Sequence, residues 1–170
     1  MVVASLSLLV VLLMMIAESR VSRRNEQRLR RRGAIEPPGD VYSTMRWAYP
    51  AAFVAMAAEG AILGPPPGAI TVAGALLLGA SKALKWWAMA SLGTRWTFRV
   101  LVVPRAPLVT HGPYAVLRHP NYVSVVGELA GMALLVGARV SGPITLLLFG
   151  LLLRRRILVE DRALRHPTCT

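Results

Sequence analysis

The chain has 170 residues, of which 55% are hydrophobic and only 16% charged, with a formal net charge of +12 and a mean hydropathy of +0.52. Soluble domains carry about 25% charged residues, so this composition argues against a soluble globule and for one domain of lipid-embedded helices. A lone cysteine, Cys169, excludes an internal disulfide framework and a Cys-based metal site, and with three scattered histidines no metal is expected.

In chain order, residues 2–17 are a first apolar helix. No basic stretch precedes it, and Met14-Met15-Ile16-Ala17-Glu18 is a poor cleavage site, so it reads as a retained crossing rather than a signal peptide. Residues 18–46 are polar and rich in arginine; Ser22 to Leu29 is helix-compatible, and Gly33 and Pro37-Pro38-Gly39 end that stretch. A second helix is expected over 44–63, with Pro50 near one end, then a Gly64-Pro65-Pro66-Pro67-Gly68 breaker and a third helix over 69–92. Lys82, Lys85, Trp86 and Trp87 near its end read as interfacial anchors. A mixed connector with Trp96, Arg99 and Arg105 follows. The last helices, near 121–138 and 142–153, form a hairpin that either spans fully or lies tilted, and 154–164 is expected as a helix on the membrane surface. The fold class is therefore all-α, an integral membrane bundle of about five transmembrane helices in one domain over 1–170, with a C-terminal cytoplasmic helix.

The basic residues fall between apolar blocks rather than along one face, which points to membrane topology and not to nucleic acid. Segments 18–46, 93–120 and 154–170 hold 8, 4 and 5 of the 20 Lys/Arg residues, and Lys82 and Lys85 lie near the same end of their helix. Only Arg139 falls on the other side. Five crossings with the N-terminus outside thus put these three segments on the cytoplasmic face.

Residues 112–122, from Gly112-Pro113-Tyr114 to Arg118-His119-Pro120-Asn121-Tyr122, are a polar block at a helix mouth. Pro113 and Pro120 interrupt regular helix there, and irregular backbone at membrane depth calls for a lined cavity. Arg118 can hold a carboxylate in bidentate fashion, Tyr114 and Tyr122 can stack or donate, and His111 or His119 can move protons near neutral pH. The competing reading is an interfacial belt with arginine facing lipid phosphate. Glu128, inside an apolar helix, is either a functional carboxylate or half of a buried ion pair. Glu59 sits near the outer end of its helix, is expected to reach water, and receives no role. Arg156 and Glu160, four apart, share a helix face and can pair with each other, while Arg154-Arg155-Arg156 also suits a lipid-phosphate anchor.

Together these residues resemble the isoprenylcysteine carboxyl methyltransferase family of integral-membrane enzymes. The carrying motif is Gly112-Pro113-Tyr114 with Arg118-His119-Pro120-x-Tyr122, followed some forty residues later by Arg156-Ile157-x-x-Glu160-Asp161, all within the motif-bearing half at 92–165. Ser22-Arg23-Arg24-Asn25-Glu26 through Gly33-Ala34, with Trp86-Trp87 and Arg95-Trp96-Thr97, is similar to short bacterial members, some of them associated with type III polyketide synthases. The resemblance implies S-adenosylmethionine as methyl donor, bound on the cytoplasmic side of a bacterial membrane. It implies contacts from Tyr114, His119, Pro120 and Tyr122, from backbone near His111 and Gly112, and from Arg156 and Glu160, with Arg118 and Glu160 as the catalytic pair. The acceptor it implies is lipophilic and enters from the bilayer: an isoprenylcysteine-like carboxylate or an alkylpyrone- or alkylresorcinol-like hydroxyl. The chain carries no Gly-rich dinucleotide fingerprint; a sterol-type reductase using NADPH and a non-enzymatic lipid-binding subunit are the other two readings, and the oligomeric state is left open.

Overall fold

The computed structural model describes residues 1–64, 66–104 and 106–165; Pro65, Arg105 and Cys169 lie outside them. Five α-helices follow in order: α1 (Val2–Arg31), α2 (Tyr42–Leu63), α3 (Gly68–Leu92), α4 (Pro120–Val136) and α5 (Ser141–Arg165). An isolated antiparallel bridge pairs Ile35 with Val102, and no strand forms among the described residues. Two helical stretches, Val2–Arg31 and Gly68–Arg95, are long and apolar enough to cross a membrane.

Two boundaries differ from expectation. The separate crossing at 2–17 and helix across 22–29 are one helix of 30 residues, about 45 Å long. Glu18 does not break it, because its carboxylate is buried against two lysines of α3, and Gly33 at φ +77° follows the true end. Likewise the hairpin's second arm at 142–153 and the surface helix at 154–164 are a single α5. No glycine or proline falls between Gly150 and its end, and leucine and arginine are strong helix formers.

Helix starts and stops obey local chemistry elsewhere. Pro120 opens α4 at the one position where its missing N–H costs nothing, and Gly137 closes that helix in the left-handed conformation at φ +74°. Glu59 of α2, partly exposed as expected, also has a structural role: it accepts hydrogen bonds from the Val140 and Ser141 amides (2.8 and 2.7 Å) and from the Ser141 hydroxyl at 2.5 Å. A carboxylate at a helix N-terminus meets unpaired amides and the positive end of the dipole, so Glu59 joins α2 to the start of α5.

The bundle is tightest between α3 and α4, where small residues let the backbones touch. A Cβ on Gly131 would sit 2.6 Å from the Leu78 nitrogen, and one on Gly74 only 2.3 Å from that of Leu135. Around this pair the core closes over Phe53, Met56, Leu129 and Met132, all fully buried. Tyr49 contacts Phe53 edge-on and Phe149 at a tilt, joining α2 to α5.

The connector between α3 and α4 lies across the basic half of α1. Asn25 donates to the carbonyls of Gly93 (3.2 Å) and Trp96 (2.8 Å), and the Ser22 hydroxyl accepts the Phe98 amide at 2.8 Å. Glu18, Ser22, Asn25 and Leu29 recur at helical spacing as the buried face of this half of α1. The arginines on its other faces, among them Arg20, Arg24 and Arg28, are exposed.

Candidate active site

The first turn of α4 carries Tyr122, and two successive turns of α5 carry Arg156 and Glu160. Their meeting point is the Tyr122 hydroxyl, which donates to Glu160 Oε2 and accepts from Arg156 Nε at 3.0 Å. Arg156 and Glu160, which share a helix face and could have paired directly, meet instead through a tyrosine of another helix. Arg156 is only 6% exposed and spends its remaining donors on the Phe98 carbonyl and on Asp40, whose Oδ1 lies 3.4 Å from Nη1. Asp40 in turn accepts the amides of Val100 and Tyr42, both at 3.1 Å. One guanidinium thus ties together the start of α2, the connector, α4 and α5.

His119, immediately before α4, stacks on Tyr122 with ring centres 5.4 Å apart and planes 27° from parallel. Its Nε2 is 3.3 Å from Asp161 Oδ1 and its Nδ1 is 3.9 Å from Glu160 Oε2. Tyr114, on the short 3₁₀ turn Gly112–Ala115, is half-buried; burial, reinforced by the nearby Glu160 carboxylate, pushes its phenol well above its ordinary pKa, so it remains a neutral donor.

Tyr114, Arg118, His119, Tyr122, Arg156 and Glu160 line one cavity of about 820 Å³, with Arg118 exposed. His111, Gly112 and Pro120 are not in that lining. His111 is exposed, and Pro120 is buried at the start of α4. Gly112 has φ +62°, and a Cβ there would meet Ser91 Oγ at 2.1 Å, so its role is to let the turn approach α3.

The far part of the cavity is built by α1, α2 and α4, with Met15, Pro50 and Val125 as apolar walls. Glu18, Tyr49 and Lys85 also face it. Behind them is a closed square of charges. Lys82 Nζ is 2.9 Å from Glu18 Oε1 and 2.7 Å from Glu128 Oε2; Lys85 Nζ is 3.0 Å from Glu18 Oε2 and 3.0 Å from Glu128 Oε1. The Tyr49 hydroxyl donates to Glu128 Oε2 at 2.8 Å. Of the two readings open for Glu128, the ion pair is the one formed. Lys82 and Lys85, expected as interfacial anchors, are buried instead, because two carboxylates from other helices await them; Trp86 and Trp87, next in sequence, are exposed.

Asp40, Phe98 and Tyr49 were not legible as site residues. Asp40 and Tyr49 come from a region without catalytic pattern, and Phe98 contributes only its carbonyl. Ser22, Asn25 and Trp96, quoted above only as points of likeness, prove to be the residues that hold the connector in place.

Comparison of the sequence with known proteins places the chain in a family. The chain is 33% identical over 150 residues to "Uncharacterized protein YpbQ" of Bacillus subtilis strain 168, covering 88% of this chain and 89% of that protein. It is 27% identical over 85 residues to an "Uncharacterized protein" of Haemophilus influenzae, about half (49%) of each chain. No solved structure matches significantly. A sequence model of the isoprenylcysteine carboxyl methyltransferase (ICMT) family matches residues 73–166, a span that contains α4, the Tyr122 hydroxyl and both residues bound to it. On that match, which covers more than half of its length, the chain belongs to the isoprenylcysteine carboxyl methyltransferase family.

Proposed function

We propose that the protein is an S-adenosylmethionine-dependent O-methyltransferase of the bacterial cytoplasmic membrane that acts on a lipophilic acceptor drawn from the bilayer. The observation that carries this reading is the junction at Tyr122, where both halves of the family motif meet inside a cavity that continues between apolar helices. The charge distribution supports five crossings with the N-terminus outside and the junction at the cytoplasmic face. The basic half of α1 then stands clear of the bilayer as a cytoplasmic extension.

The chemistry of the lining suits the cofactor. It offers the stacked His119 and Tyr122 rings for a heterocycle, the Glu160 and Asp161 carboxylates for an ammonium and a sulfonium, and Arg118 for a carboxylate. When bound, S-adenosylmethionine supplies an activated methyl group. The protein's task is then alignment, and well-oriented reactants can lower a barrier by roughly 7–11 kcal/mol. The Tyr122 hydroxyl, itself fixed by Arg156, holds Glu160 by its Oε2, which leaves Oε1 to receive an ammonium or an acceptor proton. A carboxylate acceptor needs no base. For a hydroxyl acceptor, His119, positioned by Asp161, is the other group able to take the proton.

Calorimetry of the detergent-solubilised protein with S-adenosylhomocysteine and with NADPH tests the reading. Binding of the first and not the second is expected, followed by methyl transfer from radiolabelled S-adenosylmethionine into a lipid extract. Absence of binding by S-adenosylhomocysteine overturns it.

A further inference from the structure

Methyl transfer at Tyr122 makes no use of the buried square of Glu18, Lys82, Lys85 and Glu128. Moving four charges into a helix bundle is expensive, and well-packed apolar residues of similar volume are commonly as stable or more so, so stability gives little reason to keep them. The square is also lopsided. Glu18 and Lys85, together with Tyr49, line the cavity, whereas Lys82 and Glu128 stand behind them.

We propose that Glu18, Lys85 and Tyr49 form a second polar subsite, at the end of the cavity away from Tyr122, that binds a hydroxyl group of the methyl acceptor distinct from the one methylated. This rests on the methyltransferase reading and adds a specificity determinant to it.

The chemistry of the floor defines the ligand. Lys85 Nζ has three hydrogens and meets two carboxylates, at 3.0 Å each, so one donor is left. Each Glu18 oxygen meets one lysine and keeps a further lone pair. The floor therefore presents one donor and one acceptor side by side with no net charge. A hydroxyl, which both donates and accepts, satisfies the two together. A carboxylate does not, since Glu18 repels it while Lys85 attracts it.

The spacing defines the rest of the acceptor. Met45, whose sulfur is 3.8 Å from Arg156, and Tyr49 are one turn apart on α2. On α4, Val125 separates Tyr122 from Glu128. The floor thus lies one to two turns, about 6–9 Å along the helices, from the Tyr122 junction. That distance suits a ring-sized head carrying oxygen functions on two sides, with the apolar chain leaving between helices.

The experiment measures affinity in protein saturated with S-adenosylhomocysteine, for two long-chain phenols of identical chain that differ only in a second ring hydroxyl. The wild type is expected to bind the dihydroxy compound roughly 10- to 100-fold more tightly, the worth of one charge-assisted hydrogen bond. In the double variant Glu18→Leu/Lys85→Met the preference is expected to vanish while S-adenosylhomocysteine affinity stays unchanged. That variant removes one charge of each sign and leaves Lys82 paired with Glu128, so the interior remains neutral. Tyr49→Phe, which keeps all four charges, is expected to reduce the preference severalfold and serves if the double variant does not fold. Equal affinity of the wild type for both phenols, or a preference that survives the variants, overturns the subsite and leaves the methyltransferase reading standing. Failure to bind S-adenosylhomocysteine overturns both.

Discussion

Arg156 donates from Nε to the hydroxyl of Tyr122 at 3.0 Å across 34 residues of chain, and that hydroxyl passes its own proton toward Glu160. The tyrosine is both acceptor and donor at one oxygen. The arginine is buried, so it depends on partners it cannot replace with water.

Tyr122→Phe is therefore expected to cost about 1–3 kcal/mol of stability, because it leaves Arg156 short of an acceptor inside the protein. It also frees Glu160, so affinity for S-adenosylhomocysteine is expected to fall at the same time. Thermal unfolding and calorimetry on one preparation check both; loss of neither shows that the hydroxyl is incidental.

The charge square makes a prediction about pairs. Lys82→Met alone leaves two buried carboxylates facing one cation and is expected to destabilise by about 3–5 kcal/mol. Lys82→Met combined with Glu128→Gln restores neutrality and is expected to recover most of that loss. A double-mutant cycle by thermal or denaturant unfolding measures the coupling. Additive losses would mean that the four charges do not act as a unit.

Glu36 makes the connector sensitive to acid. Burial acts to raise its carboxyl pKa, but hydrogen bonds from Arg99 at 2.6 Å and Arg30 at 2.5 Å outweigh this and hold it below the ordinary value. A carboxyl with a lowered folded pKa adds stability that is fully present above its unfolded pKa and is lost as pH falls through the folded one. Wild type is thus expected to melt above Glu36→Gln near neutral pH, the two curves converging below about pH 4. Hydrogen exchange at Ile35 and Val102, which exchange backbone hydrogen bonds of 2.9 and 3.0 Å beside this carboxylate, is expected to follow the same course. A gap that widens in acid contradicts the assignment.

Two glycines of one helix give opposite expectations. A Cβ at Gly74 would press to 2.3 Å on the backbone of α4, whereas at Gly79 it would meet nothing within 4 Å. Gly74→Ala is expected to destabilise by several kcal/mol, since backbone cannot step aside as a side-chain tip can. Gly79→Ala is expected to be neutral or to stabilise by about 0.5–1 kcal/mol, through helix propensity. Parallel thermal melts of the two variants make the comparison.

Long apolar blocks and Gly/Pro punctuation were enough to read five helices, the turns between them and the charge asymmetry of the chain, because these depend on neighbours in sequence. The polar block at 112–122 and the Arg156/Glu160 pair were legible for the same reason: they are local clusters of chemistry-bearing residues in apolar surroundings. Whether a helix stopped at a charge was not legible. Glu18 and Arg154 both read as ends of apolar runs, yet α1 and α5 continue through them, since the partner that makes a buried charge tolerable, or the water that does, is fixed by packing. Lys82, Lys85 and Glu128 acquired their meaning from one another across α1, α3 and α4, and Glu59 from the start of α5. Burial makes the energy of an ionisable group depend on what faces it within a few ångströms, and such a neighbour is drawn from anywhere in the chain. Local order along the sequence sufficed for where apolar helices run and where polar, titratable residues cluster; which of those residues share an oxygen, a charge or a cavity was settled by the way the helices pack.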